Sequence, residues 1–454
     1  MDKKIVIIGG GPTGLGAAYR LYELGYENWK IYEKEDYLGG CSASFVDEKG
    51  FVWDVGGHVI FSHYPYFDRM LERLLGNDYL EHMRESWIRI KGTWVPYPFQ
   101  NNIGRLPKEA LLECLIELIE SDRKGKTDSA LTFRDWIEAS FGRGIAKYFM
   151  FPYNYKVWAT PLELMDKNWV AERVSPVNIQ RVLENVILSK DDISWGPNNK
   201  FRFPLYGGTG EIYRRVEPYV EKHLAYNKEL TEVDINKKEL RFRDGTVDSY
   251  DELINTAPLD IFCRNLKPGI PGIAENASLL EHNSVLIVGI GLEKRLDDKK
   301  CWMYFPEDNA PFYRVTYFSN YSPNNVPGGD ITRYCSMMCE TSYSPYKRED
   351  KATIVERTVQ GLINSGLLND EDRSSVVSTF VKDVGYAYPI PTLKRDDALR
   401  TIQPFLEKHG IYSRGRFGGW KYEVGNMDHS VMQGVEIVDR ILTGKDETVY
   451  RVAS

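Results

Sequence analysis

Cysteine is scarce in this chain and unpaired in pattern. The six cysteines (Cys41, Cys114, Cys263, Cys301, Cys335 and Cys339 of 454 residues) form no disulfide framework and no metal-ligand spacing. Cys335 and Cys339 fall on one face of an expected strand and read as core residues rather than ligands. Long apolar runs are also missing: none reaches the roughly 18 residues of a membrane span. Lys3 and Lys4 lead directly into an expected core strand, which leaves no room for a signal peptide, so the cytoplasm is the expected compartment. Positive charge is in deficit, with a net charge of −7, which argues against a nucleic-acid or membrane surface. An anionic substrate would then need local arginines. No Ser/His/Asp or Cys/His arrangement and no metal-binding cluster is evident, so no metal is expected.

What is present begins at once. With 42% hydrophobic and 27% charged residues, the composition is that of an ordinary soluble protein, long enough for two or three domains. Lys4–Ile8 is a continuous apolar run, as in a strand buried on both faces. Gly9-Gly10-Gly11-Pro12-Thr13-Gly14 follows, then a helical pattern stopped by Gly25, then a second strand ending on Glu33. This is the G-x-G-x-x-G order in which Gly9, Gly11 and Gly14 let a pyrophosphate approach a helix N-terminus and a carboxylate accepts from a ribose. Lys34 and a second glycine turn, Gly39-Gly40-Cys41-Ser42, continue the motif as in flavoproteins of the glutathione-reductase type, which selects FAD over NAD.

Further along, Gly56-Gly57-His58 gives a backbone able to press against a flat ring. A lone histidine there is otherwise an ordinary core residue. WVPYPFQNNI mixes aromatics and amides, and Tyr97, Phe99 and Gln100 could hold a base. Helical patterns cover Leu106–Glu120, Thr132–Phe151 and Asn178–Lys190. Strands are expected at Leu230–Ile235, Glu239–Arg243, Ser284–Leu292, Trp302–Phe305, Phe312–Ser319, Ile331–Met338 and Ser375–Pro391. A last helix follows Gly425-Asn426-Met427, with a cap at Asn426 or Asp428 aiming its positive end at what precedes it.

The motifs GGHVIFSHYPYFD, WVPYPFQNNI, PYNYKVW, WGPNNKFRFP, CWMYFPEDNAPFYRVTYFSNYSP, YPIPTL and SRGRFGGWKYEVGN, in this order along nearly the whole chain, resemble the UDP-galactopyranose mutase family, specifically its eukaryotic-type branch. The resemblance implies an α/β fold: an FAD-binding Rossmann-like domain of the glutathione-reductase type (1–83, 203–260 and 412–454), a helical insertion domain (101–195) and an antiparallel-sheet substrate domain (84–100 and 261–411). It implies interconversion of UDP-galactopyranose and UDP-galactofuranose without net redox. In that family reduced FAD attacks the anomeric carbon through N5 and expels UDP, the sugar opens and recloses, and UDP returns. NADPH is the implied reductant.

By motif, Arg173 and Arg314 match the diphosphate clamp, and Tyr321, Tyr388 and Tyr422 the tyrosines that donate to it. Tyr97, Phe99 and Gln100 match the uracil site, Asn154 and Trp158 the ribose side, and Asn198, Trp302 and Tyr304 the sugar side. His58 matches the histidine against the flavin. Gly57, Val233, Gly425, Asn426, Met427 and Ser430 join the cofactor contacts, and Arg84, Ser86 and Arg416 match the NADPH region. Met427 departs from the glutamine common in the family, Cys41 and Glu85 replace apolar residues, and a long insertion near Pro327–Asp330 is lacking. Three alternatives stay open at this stage: a mutase for UDP-N-acetylgalactosamine or UDP-arabinopyranose, an amine-oxidase-type oxidase or desaturase, and a flavin-free binding module like the GDP-dissociation inhibitors. UDP-galactose is the expected partner, with no nucleic acid and no membrane, and a homo-oligomer is compatible with the sequence.

Overall fold

A computed structural model describes residues 2–124, 130–170, 174–192 and 199–452. Its first layer is a five-stranded parallel sheet in the order Ile411–Ser413, Glu252–Asn255, Ile5–Ile8, Trp29–Tyr32, Leu224–Ala225. Ile5–Ile8 is central and buried throughout, which is why it reads as an unbroken apolar run. The first helix, Pro12–Glu23, starts with proline in its first turn, where the missing N–H costs nothing, and Gly25 at φ +63° follows its end. The last helix, Met427–Thr443, lies directly against it. A Cβ at Gly16 would sit 2.5 Å from the Val431 carbonyl, and one at Gly434 would sit 2.1 Å from that of Thr13. The two backbones touch only because both positions lack side chains.

A seven-stranded sheet forms the second layer: Val376–Pro389, His282–Leu292, Cys335–Tyr343, Arg314–Tyr317, Trp302–Tyr304, Ser86–Ile90, Thr93–Pro96. Its pairs are antiparallel except Trp302–Tyr304 with Ser86–Ile90, which is parallel. The apolar pattern places one of these strands at Ile331–Met338, but it runs from Cys335 to Tyr343. Ile331 is exposed and lies in a turn held by Asp330, whose carboxylate accepts from the Thr332 amide and hydroxyl. Cys335 and Cys339 are buried in this strand. The resemblance groups residues 261–411 with this sheet. The packing instead sets the helices Pro271–Ala277 and Arg395–Lys408 against the parallel sheet, because Ile273, Leu399, Ile402 and Leu406 share a core with Val6, Ile8 and Tyr32.

The helical layer is Lys108–Lys124, Phe133–Ile145, Phe151–Trp158 and Ile179–Ile187. The helical pattern of Thr132–Phe151 is not one helix. Thr132 caps it with a reciprocal Asp135 bond, Gly142 breaks it at φ +72°, and a wider turn over 146–150 joins it to Phe151–Trp158. PYNYKVW is therefore helical, with Pro152 in a first turn that tolerates it.

Asp54, at the end of the strand Val52–Asp54, ties Ser44 on the neighbouring strand to the loop at Thr209. It is buried, and it accepts from Ser44 Oγ (2.5 Å), Thr209 Oγ1 (2.6 Å) and the Thr209 amide (3.1 Å). Burial, only partly offset by those donors, pushes its carboxyl up to about 7 from 3.8. A carboxyl raised in the folded state stabilises fully below its unfolded value and loses that contribution as pH rises through the folded one. Unfolding midpoints should therefore fall between pH 4 and 7 by a component, at most about 4 kcal/mol, that Asp54→Asn removes. Thermal unfolding of both proteins across this range checks it; parallel curves would contradict it.

Candidate active site

The glycine loop is built to admit a nucleotide. Gly9 has φ +102°, and a Cβ at Gly14 would meet the Gly9 carbonyl at 1.8 Å, whereas a Cβ at Gly11 would meet nothing within 4 Å. The loop is therefore packed tightly on its protein side and open on the other, over the N-terminus of the helix that begins at Pro12 and Thr13. Gly39 (φ +101°) and Gly40 (φ +51°) form the second turn, which closes on Ser42, and a Cβ at Gly40 would come 3.4 Å from Gly11. Glu33 is buried and accepts from the amides of Gly10 (2.5 Å) and Glu35 (2.8 Å), while Lys34 pairs with Glu35 at the surface. Burial raises the Glu33 carboxyl, and the two amide bonds oppose that shift. Val233 lies in a separate small sheet, buried, with its N–H bonded to the Asn265 carbonyl. These features fit an adenine dinucleotide: a paired glycine cradle, a helix N-terminus and a carboxylate at the expected spacing.

A cavity opens over the seven-stranded sheet and reaches Cys41, beside the second glycine turn. It gathers Gly57, His58, Arg314, Tyr388, Arg416, Tyr422, Asn426 and Met427 from separate stretches of the chain. Asn426 is the N-cap residue of the last helix, its carbonyl accepting from the buried Ser430 amide, and Gly425 precedes it. That helix N-terminus faces the cavity. His58 Nδ1 lies 3.2 Å from the Gly56 carbonyl. Burial, with the charges of Arg416 and Arg314, pushes its imidazole down to about 4, so it is a neutral ring at physiological pH.

Arg314 enters the cavity from the strand Arg314–Tyr317 and forks onto Glu340, with Nε 2.8 Å from Oε1 and Nη2 2.7 Å from Oε2. Tyr313 Oη donates to Glu340 Oε2 (2.6 Å) and the Gly57 amide to Oε1 (2.9 Å). Burial opposes ionisation of Glu340, but Arg314 and these donors outweigh it and hold the carboxyl below its usual range. Arg416 lies over the Tyr388 ring and donates to the Gly425 carbonyl (3.0 Å).

A second cluster adjoins the first. Tyr97 and Tyr304 have ring centroids 5.3 Å apart, Trp302 Nε1 donates to Tyr304 Oη (2.6 Å), and the Arg84 guanidinium lies over Tyr97 (4.6 Å) and Trp302 (5.0 Å). Arg84 Nε donates to Ser86 Oγ at 2.9 Å. The candidate NADPH residues are thus divided: Arg84 and Ser86 stand with the aromatic cluster and Arg416 with the cavity. Trp158 packs on two tyrosines of the cavity, Tyr422 (4.8 Å) and Tyr388 (5.9 Å).

Other candidates are engaged elsewhere. Phe99 is buried and stacked on Phe149, and Gln100 donates to the Ser175 carbonyl (2.6 Å), because the short helix Phe99–Asn101 turns both into the helical core. The bond occupies the Gln100 Nε2 group that the sequence reading assigned to a base edge. Asn154 donates to Met150 within its own helical run. Tyr321 is buried against Phe201 and Phe203 and does not line the cavity. Arg173 and Asn198 lie outside the described residues.

Sequence reasoning missed Glu340, Tyr313 and Asp428 as cavity residues. Glu340 had a usable signal: it is the one carboxylate in CSMMCETSY, a run too apolar to carry an unpaired charge. Asp428 is buried and bonded to His63 Nδ1 (2.7 Å) and His429 Nδ1 (3.0 Å). Those three are the one grouping of metal-ligand types among the described residues, and its carboxylate oxygens are already taken by the imidazoles.

A model of the family described as flavin containing amine oxidoreductase matches residues 12–442. The crystal structure of reduced UDP-galactopyranose mutase is 46% identical, with a TM-score of 0.95 over 98% of this chain and 95% of that one. A putrescine oxidase structure shares the fold alone, at 16% identity and a TM-score of 0.67 over 97% of this chain and 99% of that one. Zeta-carotene desaturase of Solanum lycopersicum is 38% identical over 71 residues, 16% of this chain and 12% of the desaturase. The match thus spans about an eighth to a third of the length of the curated relatives. No helix among the described residues is long and apolar enough to cross a membrane. The glycine cradle, the cavity beside it and likeness along the full length agree: the chain belongs to the flavin containing amine oxidoreductase family and, within it, to the UDP-galactopyranose mutases.

Proposed function

We propose that this protein is a flavin-dependent mutase that interconverts UDP-galactopyranose and UDP-galactofuranose without net redox. The observation that carries the reading is an arginine fork set among tyrosines, Arg314 with Tyr388 and Tyr422, in the cavity that reaches the second glycine turn. Reduced FAD, when bound, supplies the nucleophile for the anomeric carbon. The protein's own residues do the rest. Arg314 and Arg173 neutralise the diphosphate, whose charge rises as the glycosidic bond breaks, and Tyr388 and Tyr422 donate to it. Neutral His58 packs a flat, uncharged face at the flavin site and leaves the local positive charge to the arginines. Tyr97, Trp302 and Tyr304 form the aromatic wall on the nucleotide and sugar side. NADPH is the proposed reductant, with Arg84, Ser86 and Arg416 as its candidate contacts.

The competing reading is amine oxidation, suggested by the family description. The donors favour the mutase reading: Arg314, Arg416, Tyr388 and Tyr422 converge on the cavity with a helix N-terminus, and the carboxylates in its lining, Glu340 and Asp428, are already bonded to Arg314 and to His63 and His429.

The test uses FAD-loaded protein, reduced with NADPH under argon and given UDP-galactose, UDP-N-acetylgalactosamine or UDP-arabinopyranose in turn. Chromatography should reveal the furanose form from UDP-galactose. Failure to rearrange any of the three, together with aerobic oxidation of an amine, would reverse the assignment.

A further inference from the structure

Glu340 has more partners than an arginine counter-ion requires. The carboxylate is 1% exposed, and its oxygens hold three separate pieces of the cavity wall: both forks of Arg314, the Tyr313 hydroxyl and the backbone amide of Gly57. The glycine turn is pressed onto it, since a Cβ at Gly57 would come 3.1 Å from Glu340 Oε1 and 2.8 Å from Thr316 Oγ1. His58 follows directly and bonds back to Gly56. The same carboxylate therefore aims the proposed phosphate arginine and anchors the turn that carries the flavin-facing histidine.

We propose that Glu340 is a positioning residue that couples diphosphate binding at Arg314 to the Gly56–His58 turn at the flavin. The inference rests on the reading of the preceding section. A diphosphate arriving at Arg314 shares the guanidinium with Glu340. The carboxylate then yields charge on that side and tightens on the Gly57 amide and Tyr313, which resets the turn. Coupling of this kind is reciprocal: if the nucleotide alters the flavin's surroundings, flavin reduction alters the nucleotide's affinity by the same factor.

The probe is UDP, titrated into the FAD-loaded full chain in the oxidised and the reduced state. In the wild type, UDP should perturb the flavin absorbance band, and its Kd should differ between the states by about fivefold or more, as for ordinary coupling between sites. Glu340→Gln keeps the side-chain shape and removes the charge. It should retain FAD and bind UDP within about threefold of wild type, with the ratio of Kd values near one. Its kcat for ring interconversion should drop by roughly 10- to 100-fold with KM little changed, as for an interaction made mainly in the transition state. Tyr313→Phe removes one of the donors and should give an intermediate ratio; it decides the matter if Glu340→Gln does not fold. The coupling is overturned if either variant folds with the wild-type ratio and kcat, if FAD and UDP binding are lost together, or if the wild-type ratio is one. If the wild type rearranges UDP-galactose and the ratio is one in every protein, the coupling alone fails. If no UDP-sugar is rearranged but the Glu340-dependent ratio is present, the substrate reading alone fails.

Discussion

Gly14→Ala should yield a colourless protein of low stability. The new Cβ would sit 1.8 Å from the Gly9 carbonyl oxygen and 3.0 Å from its carbon, both backbone atoms at the end of the central strand, so neither can step aside without breaking the loop. Gly11→Ala is the informative partner. Its Cβ meets no protein atom within 4 Å and points to the side where a pyrophosphate would pass. The apoprotein of that variant should melt within about 1 kcal/mol of wild type, as a substitution without contacts does, yet it should lose FAD. Absorbance after gel filtration reads cofactor content, and thermal unfolding of the apoproteins reads stability. A yellow Gly11→Ala protein with full FAD would contradict the assigned path of the cofactor.

Arg314→Ala should have two separable effects. Loss of its charge-assisted bonds to a diphosphate should weaken UDP binding by about 10- to 150-fold, with FAD retained. It also leaves Glu340 buried with no counter-ion, which by itself costs about 3–5 kcal/mol of stability. Arg314→Ala combined with Glu340→Gln should recover much of the stability and none of the UDP affinity. Isothermal titration with UDP and unfolding in urea separate the two. Unchanged UDP affinity in a folded Arg314→Ala protein would remove the clamp from the account.

The parts of the fold legible in sequence are those whose physics is local. Ile5–Ile8, the glycine loop and Glu33 lie within one stretch of chain, and their spacing alone specifies strand, turn and helix. Five strands of the seven-stranded sheet were legible as apolar runs; Ser86–Ile90 and Thr93–Pro96 were not. The start of Cys335–Tyr343 was not, because Ile331 has a strand former's side chain but sits in a turn set by Asp330. Motif order singled out His58, Arg314 and Tyr388, which one cavity gathers. The internal wiring of the site was not legible: Glu340 is 26 residues from Arg314 and 283 from Gly57, and only the folded sheets bring them together. Gln100 shows the converse. Its chemistry suits a base edge, but a short helix turns the amide onto Ser175, an orientation that no periodicity encodes.

The central claim is that the flavin serves as a nucleophile and not as an electron carrier toward the sugar. Counting turnovers per electron pair tests it most directly. FAD-loaded protein is reduced once with a single equivalent of dithionite under argon, excess UDP-galactose is added, and the furanose formed is counted against the flavin still reduced. The account predicts product in large molar excess over the reducing equivalents, with the flavin still reduced at the end. Product limited to one per flavin, or flavin oxidised in step with sugar conversion, would contradict it.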